Sequence, residues 1–305
     1  MSKDSAPHLL AKIEVFKQQR NAVILAHNYQ LGEIQDVADF VGDSLELSRK
    51  AAETSADTIA FCGVRFMAET AKILSPRKTV LLPDLEAGCP MADMITVEQL
   101  RDFKAKYPGR PVVAYVNTSA AVKAQVDVCC TSANALKVVE SLDADEVIFI
   151  PDKCLADYVA SKTSKKIIQY PGFCPTHHRI LPEDILRQKA LHPDAVVVVH
   201  PECTREVIQL ADGVFSTSGM LRFATESPAR EFIIGTEKGI LHRLQKDSPD
   251  KKFYSPTEYT ICANMKKITL EKLAWSLEDN QYPIELPPDI IEKARGAIER
   301  MIAIV

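Results

Sequence analysis

A chain of 305 residues with 46% apolar and 26% charged side chains has ordinary globular proportions, which excludes a disordered, collagen-like or coiled-coil protein. A net charge of −4 and a pI near 6.0 leave no basic surface of the kind that binds nucleic acid. Its 11 glycines fall into neither G-x-G-x-x-G nor G-x-x-x-x-G-K-[ST], so the two common glycine-rich phosphate loops are excluded as well.

The N-terminus, MSKDSAPHLL, carries charges and no apolar core of signal-peptide length. No stretch approaches 18 uninterrupted apolar residues, so no membrane span is expected. The expected location is the cytoplasm, where thiols stay reduced. Length alone suggests about two domains.

In chain order, residues 6–20 predict an amphipathic helix. Three β-rich apolar runs then recur: AVILAHNY from Ala22, PVVAYVNT from Pro111 and AVVVVHPE from Ala195. Short runs rich in Val and Ile suit strands buried on both faces of a parallel sheet. A second block follows each run: GDSLELSRKAAE from Gly42, CTSANALKVVES from Cys130 and STSGMLRFATES from Ser216. Each places a serine before a helical pattern, and Ser44, Ser132 and Ser218 lie 88 and 86 residues apart. Third runs follow (TIAFCG, EVIFIP, EFIIGT), then fourth runs (TVLLP, KIIQY, KKFYS), and each series closes on a cysteine loop: Cys89, Cys174 and Cys262, spaced 85 and 88 apart. Two independent markers with one period predict a threefold repeat.

The expected fold is α/β. Three similar αβα three-layer units with small parallel sheets would be related by pseudo-threefold symmetry around a central active site. The units span residues 1–110, 111–194 and 195–305, with a helix near Leu270–Leu277, a proline break and a final helix packing back on the others. In such sheets ligands bind at the C-terminal strand ends.

Eight cysteines are present and no two form C-x-x-C, so ribbon-type zinc sites and thioredoxin-like motifs are absent. Three equivalent loops around a threefold axis would bring Cys89, Cys174 and Cys262 together. Three thiolates without a matching fourth ligand suggest a [4Fe–4S] cluster with one open iron. Zinc, or three ordinary buried cysteines, are the alternatives. Cys62, Cys129, Cys130, Cys154 and Cys203 have no repeat partners and read as core or near-site packing.

The first strand of each repeat ends in polar residues: His27 and Tyr29, Tyr115 and Asn117, His200 and Glu202. His, Tyr and Glu are the usual proton-transfer side chains. Ser44, Ser132 and the pair Thr217 and Ser218 precede helices; each reads as an N-cap or as part of an anion site made by helix N-termini. His177, three residues after Cys174, is a candidate for orienting substrate.

Nine segments together carry a family likeness: LAHNYQ (25–30), VADFVGDSLELS (37–48), AGCPMADM (87–94), YVNTSA (115–120), GFCPTHHRI (172–180), VVVVHPEC (196–203), STSGM (216–220), EFIIGTEKGILHRL (231–244) and ICANMKKITL (261–270). The chain resembles the A-type quinolinate synthase family of bacterial and archaeal NAD biosynthesis. The resemblance implies condensation of iminoaspartate with dihydroxyacetone phosphate to quinolinate, with loss of phosphate and two waters. It implies a [4Fe–4S] cluster on Cys89, Cys174 and Cys262 whose fourth iron meets substrate, and a transferase linked to an iminoaspartate-producing enzyme. It places Tyr29, His27, Tyr115, Asn117, Ser132, His200, Glu202 and Thr217 in the pocket, with Tyr29, His27, Tyr115, His200 and Glu202 in catalysis. A different cluster-dependent hydro-lyase, a zinc enzyme and a non-catalytic metal-storage protein stand as alternatives.

Overall fold

The structure is a computed structural model, and it describes residues 6–304. The N-terminal stretch 1–5 and the outer bounds of the first and third predicted units lie outside the described residues.

Twelve short strands form three parallel four-stranded sheets. The first holds β1 (Ala22–His27), β2 (Phe40–Gly42), β3 (Thr58–Cys62) and β4 (Thr79–Leu81). The second holds β5 (Val112–Tyr115), β6 (Val128–Cys130), β7 (Glu146–Ile150) and β8 (Lys166–Gln169). The third holds β9 (Val196–Val199), β10 (Gly213–Val214), β11 (Glu231–Gly235) and β12 (Lys252–Tyr254). The spatial order is the same each time: β2-β1-β3-β4, β6-β5-β7-β8 and β10-β9-β11-β12. A helix connects each strand to the next within a sheet. The inner strands are almost wholly apolar, and Ile24, Leu25, Ile59, Val113, Phe149, Val198 and Ile233 have no exposed surface. Burying each such side chain contributes roughly 1.5–3 kcal/mol.

The chain leaves β1 toward one side of the sheet and β3 toward the other, and the same reversal occurs at β5/β7 and β9/β11. The crevice beyond the strand C-termini at such a reversal is where an open α/β sheet accepts a ligand.

The opposite, N-terminal edges carry two devices that repeat in all three sheets. The residue before the second strand is aspartate each time. Asp39 accepts from Ile24 N–H at 2.8 Å, Asp127 from Val112 N–H at 2.7 Å and Asp212 from Val197 N–H at 2.8 Å. Their backbone N–H groups return bonds to the carbonyls of the same three residues. The residue before the fourth strand is lysine each time. Lys78 donates to Thr54 O at 2.7 Å, Lys165 to Val139 O at 3.0 Å and Lys251 to Ser227 O at 2.7 Å. Each ammonium sits on carbonyls near the C-terminal end of the helix after the second strand, where cations complement orphan carbonyls and the helix dipole.

Three further helices lie at the two ends of the chain. Ala6–Gln19 packs on Leu270–Asp279. Pro288–Ala303 crosses to the first two sheets, against β6 and the helices Arg65–Leu74 and Ala120–Lys123. Among the described residues no helix is long and apolar enough to cross a membrane.

Candidate functional site

The C-terminal strand ends of all three sheets open on one cavity. All thirteen candidate residues line it: His27, Tyr29 and Ser44; Tyr115, Asn117 and Ser132; His177, His200, Glu202 and Thr217; and Cys89, Cys174 and Cys262. Apolar walls come from Val64, Phe66, Met67, Met91 and Met265.

A buried hydrogen-bonded chain crosses this cavity. Glu202 takes the His177 Nδ1 proton at 2.6 Å and the Tyr115 hydroxyl at 2.6 Å. With its proton on Nδ1, His177 has Nε2 left to accept, and Thr236 Oγ1 lies 2.7 Å from it. Tyr29 OH lies 2.5 Å from Thr236 Oγ1. The direction that satisfies every atom runs from Tyr29 through Thr236 and His177 to Glu202. Burial pushes Glu202 up, but the His177 and His200 rings and the bonds from His177 and Tyr115 outweigh it and hold the carboxyl well below its usual range. Burial, and then the Glu202 charge, push both phenols well above theirs, so Tyr29 and Tyr115 stay protonated.

Two histidines share one backbone device. His27 Nδ1 accepts from Tyr29 N–H at 3.1 Å, and His200 Nδ1 from Glu202 N–H at 3.3 Å. Burial lowers both rings to about 3, so both are neutral at pH 7. With Nδ1 occupied as an acceptor, the proton sits on Nε2. His200 Nε2 donates it to Ser132 Oγ at 3.1 Å, which leaves the Ser132 hydroxyl proton free to donate. Asn117 Oδ1 is buried and without a protein partner.

The three cysteine loops have matching backbone geometry. Each carbonyl accepts from the N–H four residues on: Cys89 from Asp93, Cys174 from His178 and Cys262 from Lys266. That turn aims N–H groups at sulfur, those of Met91 and Ala92 at Cys89, of His177 at Cys174, and of Asn264 and Met265 at Cys262. Burial raises all three thiols, Cys89 to about 12. Gly172 is required by close approach, since a Cβ there would lie 2.6 Å from Pro151 O. Glu237 accepts from Cys262 N–H at 3.2 Å, and Lys266 bonds both Glu237 and Tyr29 O. These half-buried, N–H-bonded thiols on one cavity fit a group that takes soft sulfur ligands. A second donor set overlaps them: Cys174, His177 and Glu202 offer ligand atoms within 4.8 Å of one another.

The serines differ from their expected role as caps. Asp43 caps the helix Ser44–Glu53, Asn134 precedes Ala135–Glu140, and Ser216 caps Thr217–Glu226. Asp43 satisfies two N–H groups where serine could satisfy one or two less strongly, because a carboxylate bond is charge-assisted. Ser218 bonds Glu46. Ser44 and Ser132 are therefore not caps, and Thr217 is the first residue of its helix.

Sequence reading missed Asp43, Thr131, Thr176 and Glu237 on the cavity wall, and Thr236 behind it. Thr236 and Glu237 directly follow β11, so strand-end position alone could have found them. The five other cysteines are buried and, like the three on the cavity, free of disulfides. Cys154 lies in the helix Lys153–Ala160.

Residues 11–303 match the model of the quinolinate synthetase A protein family (NadA). The chain belongs to this family. It is 59% identical to a quinolinate synthase of Dehalococcoides mccartyi strain 195, over 96% of this chain and 97% of that one. It is 56% identical to quinolinate synthase 1 of Methanosarcina acetivorans, over 97% of each chain. With the quinolinate synthase of Methanoregula boonei it shares 54% identity over 99% of this chain and 100% of the other. The NadA match thus spans all three sheets and all three cysteine loops.

Proposed function

We propose that the chain is a quinolinate synthase, a cytoplasmic transferase of NAD biosynthesis. It condenses iminoaspartate, supplied by an iminoaspartate-producing enzyme, with dihydroxyacetone phosphate, releasing phosphate and two waters. We further propose that residues 1–110, 111–194 and 195–305 are three units related by a pseudo-threefold axis through the cavity. The observation that carries the reading is the meeting of Cys89, Cys174 and Cys262 with Glu202, Tyr29 and Tyr115 on one cavity.

Cys89, Cys174 and Cys262 would hold a [4Fe–4S] cluster. When bound, that cluster supplies a Lewis acid toward substrate oxygens at its open iron. The chain's own residues supply the rest. The His27 Nε2 proton and the hydroxyls of Ser44, Ser132 and Thr217 donate to carboxylate and phosphate oxygens, where charge-assisted bonds are strongest. Asn117 Oδ1 accepts from a substrate hydroxyl or imine N–H. His200 holds Ser132 in donor orientation. Glu202, kept ionised, accepts the carbon-bound protons lost during the dehydrations, and Tyr29 and Tyr115, kept protonated, donate to leaving oxygens. His177 connects the two through Nδ1 and Nε2. The apolar wall of Phe66, Met67, Met91 and Met265 keeps water from the reacting carbons.

The overlapping Cys174–His177–Glu202 donor set favours a second reading, a single metal ion such as zinc. Metal analysis of anaerobically purified protein separates the two: about four iron and no zinc per chain supports the cluster. Quinolinate formation from the two named substrates tests the activity. Dehydration of a small hydroxy acid without quinolinate formation would indicate a different hydro-lyase.

A further inference from the structure

We propose that Asn28 and Arg243 form a positioning pair that fixes the Thr217 hydroxyl as a donor to an anionic group of the substrate. The inference rests on reading Thr217 as a substrate-binding residue. Asn28 has no exposed surface and Thr217 is 2% exposed. Arg243, in the helix Ile240–Asp247, donates from Nη1 to Asn28 Oδ1 at 3.1 Å and also bonds Val41 O. A guanidinium only donates, so the Asn28 oxygen must face it. This settles the amide orientation, which shape alone leaves ambiguous.

Asn28 Nδ2 must then face the other way, and it donates to Thr217 Oγ1 at 2.8 Å. With Oγ1 accepting from Asn28, the Thr217 hydroxyl proton needs an acceptor of its own. Among the described residues none lies within hydrogen-bond reach, and Thr217 lines the cavity. The proton is therefore available to a carboxylate or phosphate oxygen in the cavity. The His200–Ser132 contact reaches the same outcome from the second and third sheets. There an Nε2–H fills the hydroxyl's acceptor role and leaves its proton free. Arg243 itself does not line the cavity, so it acts through Asn28 and Thr217.

The test compares Asn28→Asp, Thr217→Ala, Arg243→Met and the double variant Asn28→Asp/Thr217→Ala as cluster-loaded enzymes under anaerobic conditions. Aspartate keeps the shape and the Arg243 contact but turns the donor into an acceptor, which draws the hydroxyl proton away from the cavity. The probes are quinolinate, for carboxylate recognition, and inorganic phosphate, for phosphate recognition, each followed by equilibrium dialysis. Asn28→Asp should weaken one probe about tenfold, the size of one lost charge-assisted bond. KM should rise with kcat nearly unchanged, as expected when binding is lost equally in ground and transition states. The 400 nm absorbance per chain should stay constant. In the Thr217→Ala background the same change should add less than about twofold, since contacting residues couple. Arg243→Met should weaken the same probe about threefold, again only while Thr217 is present. The probe affected identifies the anionic group.

If Thr217→Ala weakens binding while Asn28→Asp and Arg243→Met leave it unchanged, the pair does not position the hydroxyl. An Asn28→Asp effect that survives intact in the Thr217→Ala background overturns the inference too. Should Asn28→Asp fail to fold, the Arg243→Met comparison decides by the same criterion. Unchanged binding of both probes to Thr217→Ala overturns the underlying reading of Thr217 and the inference with it.

Discussion

At the N-terminal edges of the three sheets, Asp39, Asp127 and Asp212 hold one place and Lys78, Lys165 and Lys251 another. At the C-terminal edges, the matching places at the ends of the first strands hold His27, Tyr115 and His200, and two residues on, Tyr29, Asn117 and Glu202. The first edge has one problem to solve three times: tying the second strand to the first and neutralising a helix C-terminus. The same residue solves it each time. The second edge surrounds a single cavity, where three identical side chains would supply three identical functions. Donor, acceptor and proton carrier must differ, so the residues differ. Two sets at that edge do repeat: the hydroxyls of Ser44, Ser132 and Thr217, and the cysteines, which would serve one group as three equivalent ligands.

This contrast can be broken at its strongest point. Cys174→Ala should abolish quinolinate formation and the brown absorbance near 400 nm, with iron falling far below about four per chain. A colourless variant that still turns over would remove the reason for the repeated cysteines. Next in size, Glu202→Gln should slow quinolinate formation by about 10²- to 10⁴-fold while the absorbance per chain is kept. Wild-type turnover in that variant would show that the proton carrier is another residue.

The other edge predicts the opposite pattern. Lys251 is 9% exposed, and Lys251→Met leaves the carbonyls at the end of Thr217–Glu226 without a cation. Stability should fall by about 1–3 kcal/mol, read as a lower Tm, with KM unchanged. A raised KM at normal Tm would mean that the two edges are not separable. The smallest effect concerns pH. The His27 ring is lowered by burial to about 3, against about 6.5 in an unfolded chain. Between those values the unfolded state binds a proton that the folded state does not. Stability therefore falls as pH drops below about 6.5, by up to about 1.4 kcal/mol per unit for this group. His27→Gln should make the urea midpoint fall less steeply between pH 6.5 and 5, with His200, lowered by burial in the same way, keeping part of the slope; an unchanged slope would place the acid sensitivity elsewhere.

The same contrast explains what was legible in the sequence. The apolar runs of β1, β5 and β9 and the cysteine spacing were readable because they repeat, and all thirteen candidate residues reached one cavity. Thr236 was not readable from local pattern. It follows β11 on the third sheet, and its importance comes from lying between Tyr29 of the first sheet and His177 of the second. Asn28 was legible only as one letter of the segment LAHNYQ, because its role depends on Arg243, 215 residues away. The serine caps were misjudged by a position or two, since Asp43 and Ser216 sit immediately before the helices and compete better for the first N–H groups. The repeated Asp and Lys residues had the period of the chain but no chemical prominence.

The helix Pro288–Ala303 holds the first two sheets from outside. Arg300 bonds Asp127 O, Arg295 bonds Ile73 O, and Asn134 bonds the carbonyls of Met301 and Ile304. During synthesis the first and second sheets leave the ribosome well before the segment that fastens them together. Cys89 and Cys174 thus wait, already made, for a clasp encoded far downstream. The separation of the two loops is in this way set by a segment that is translated well after both.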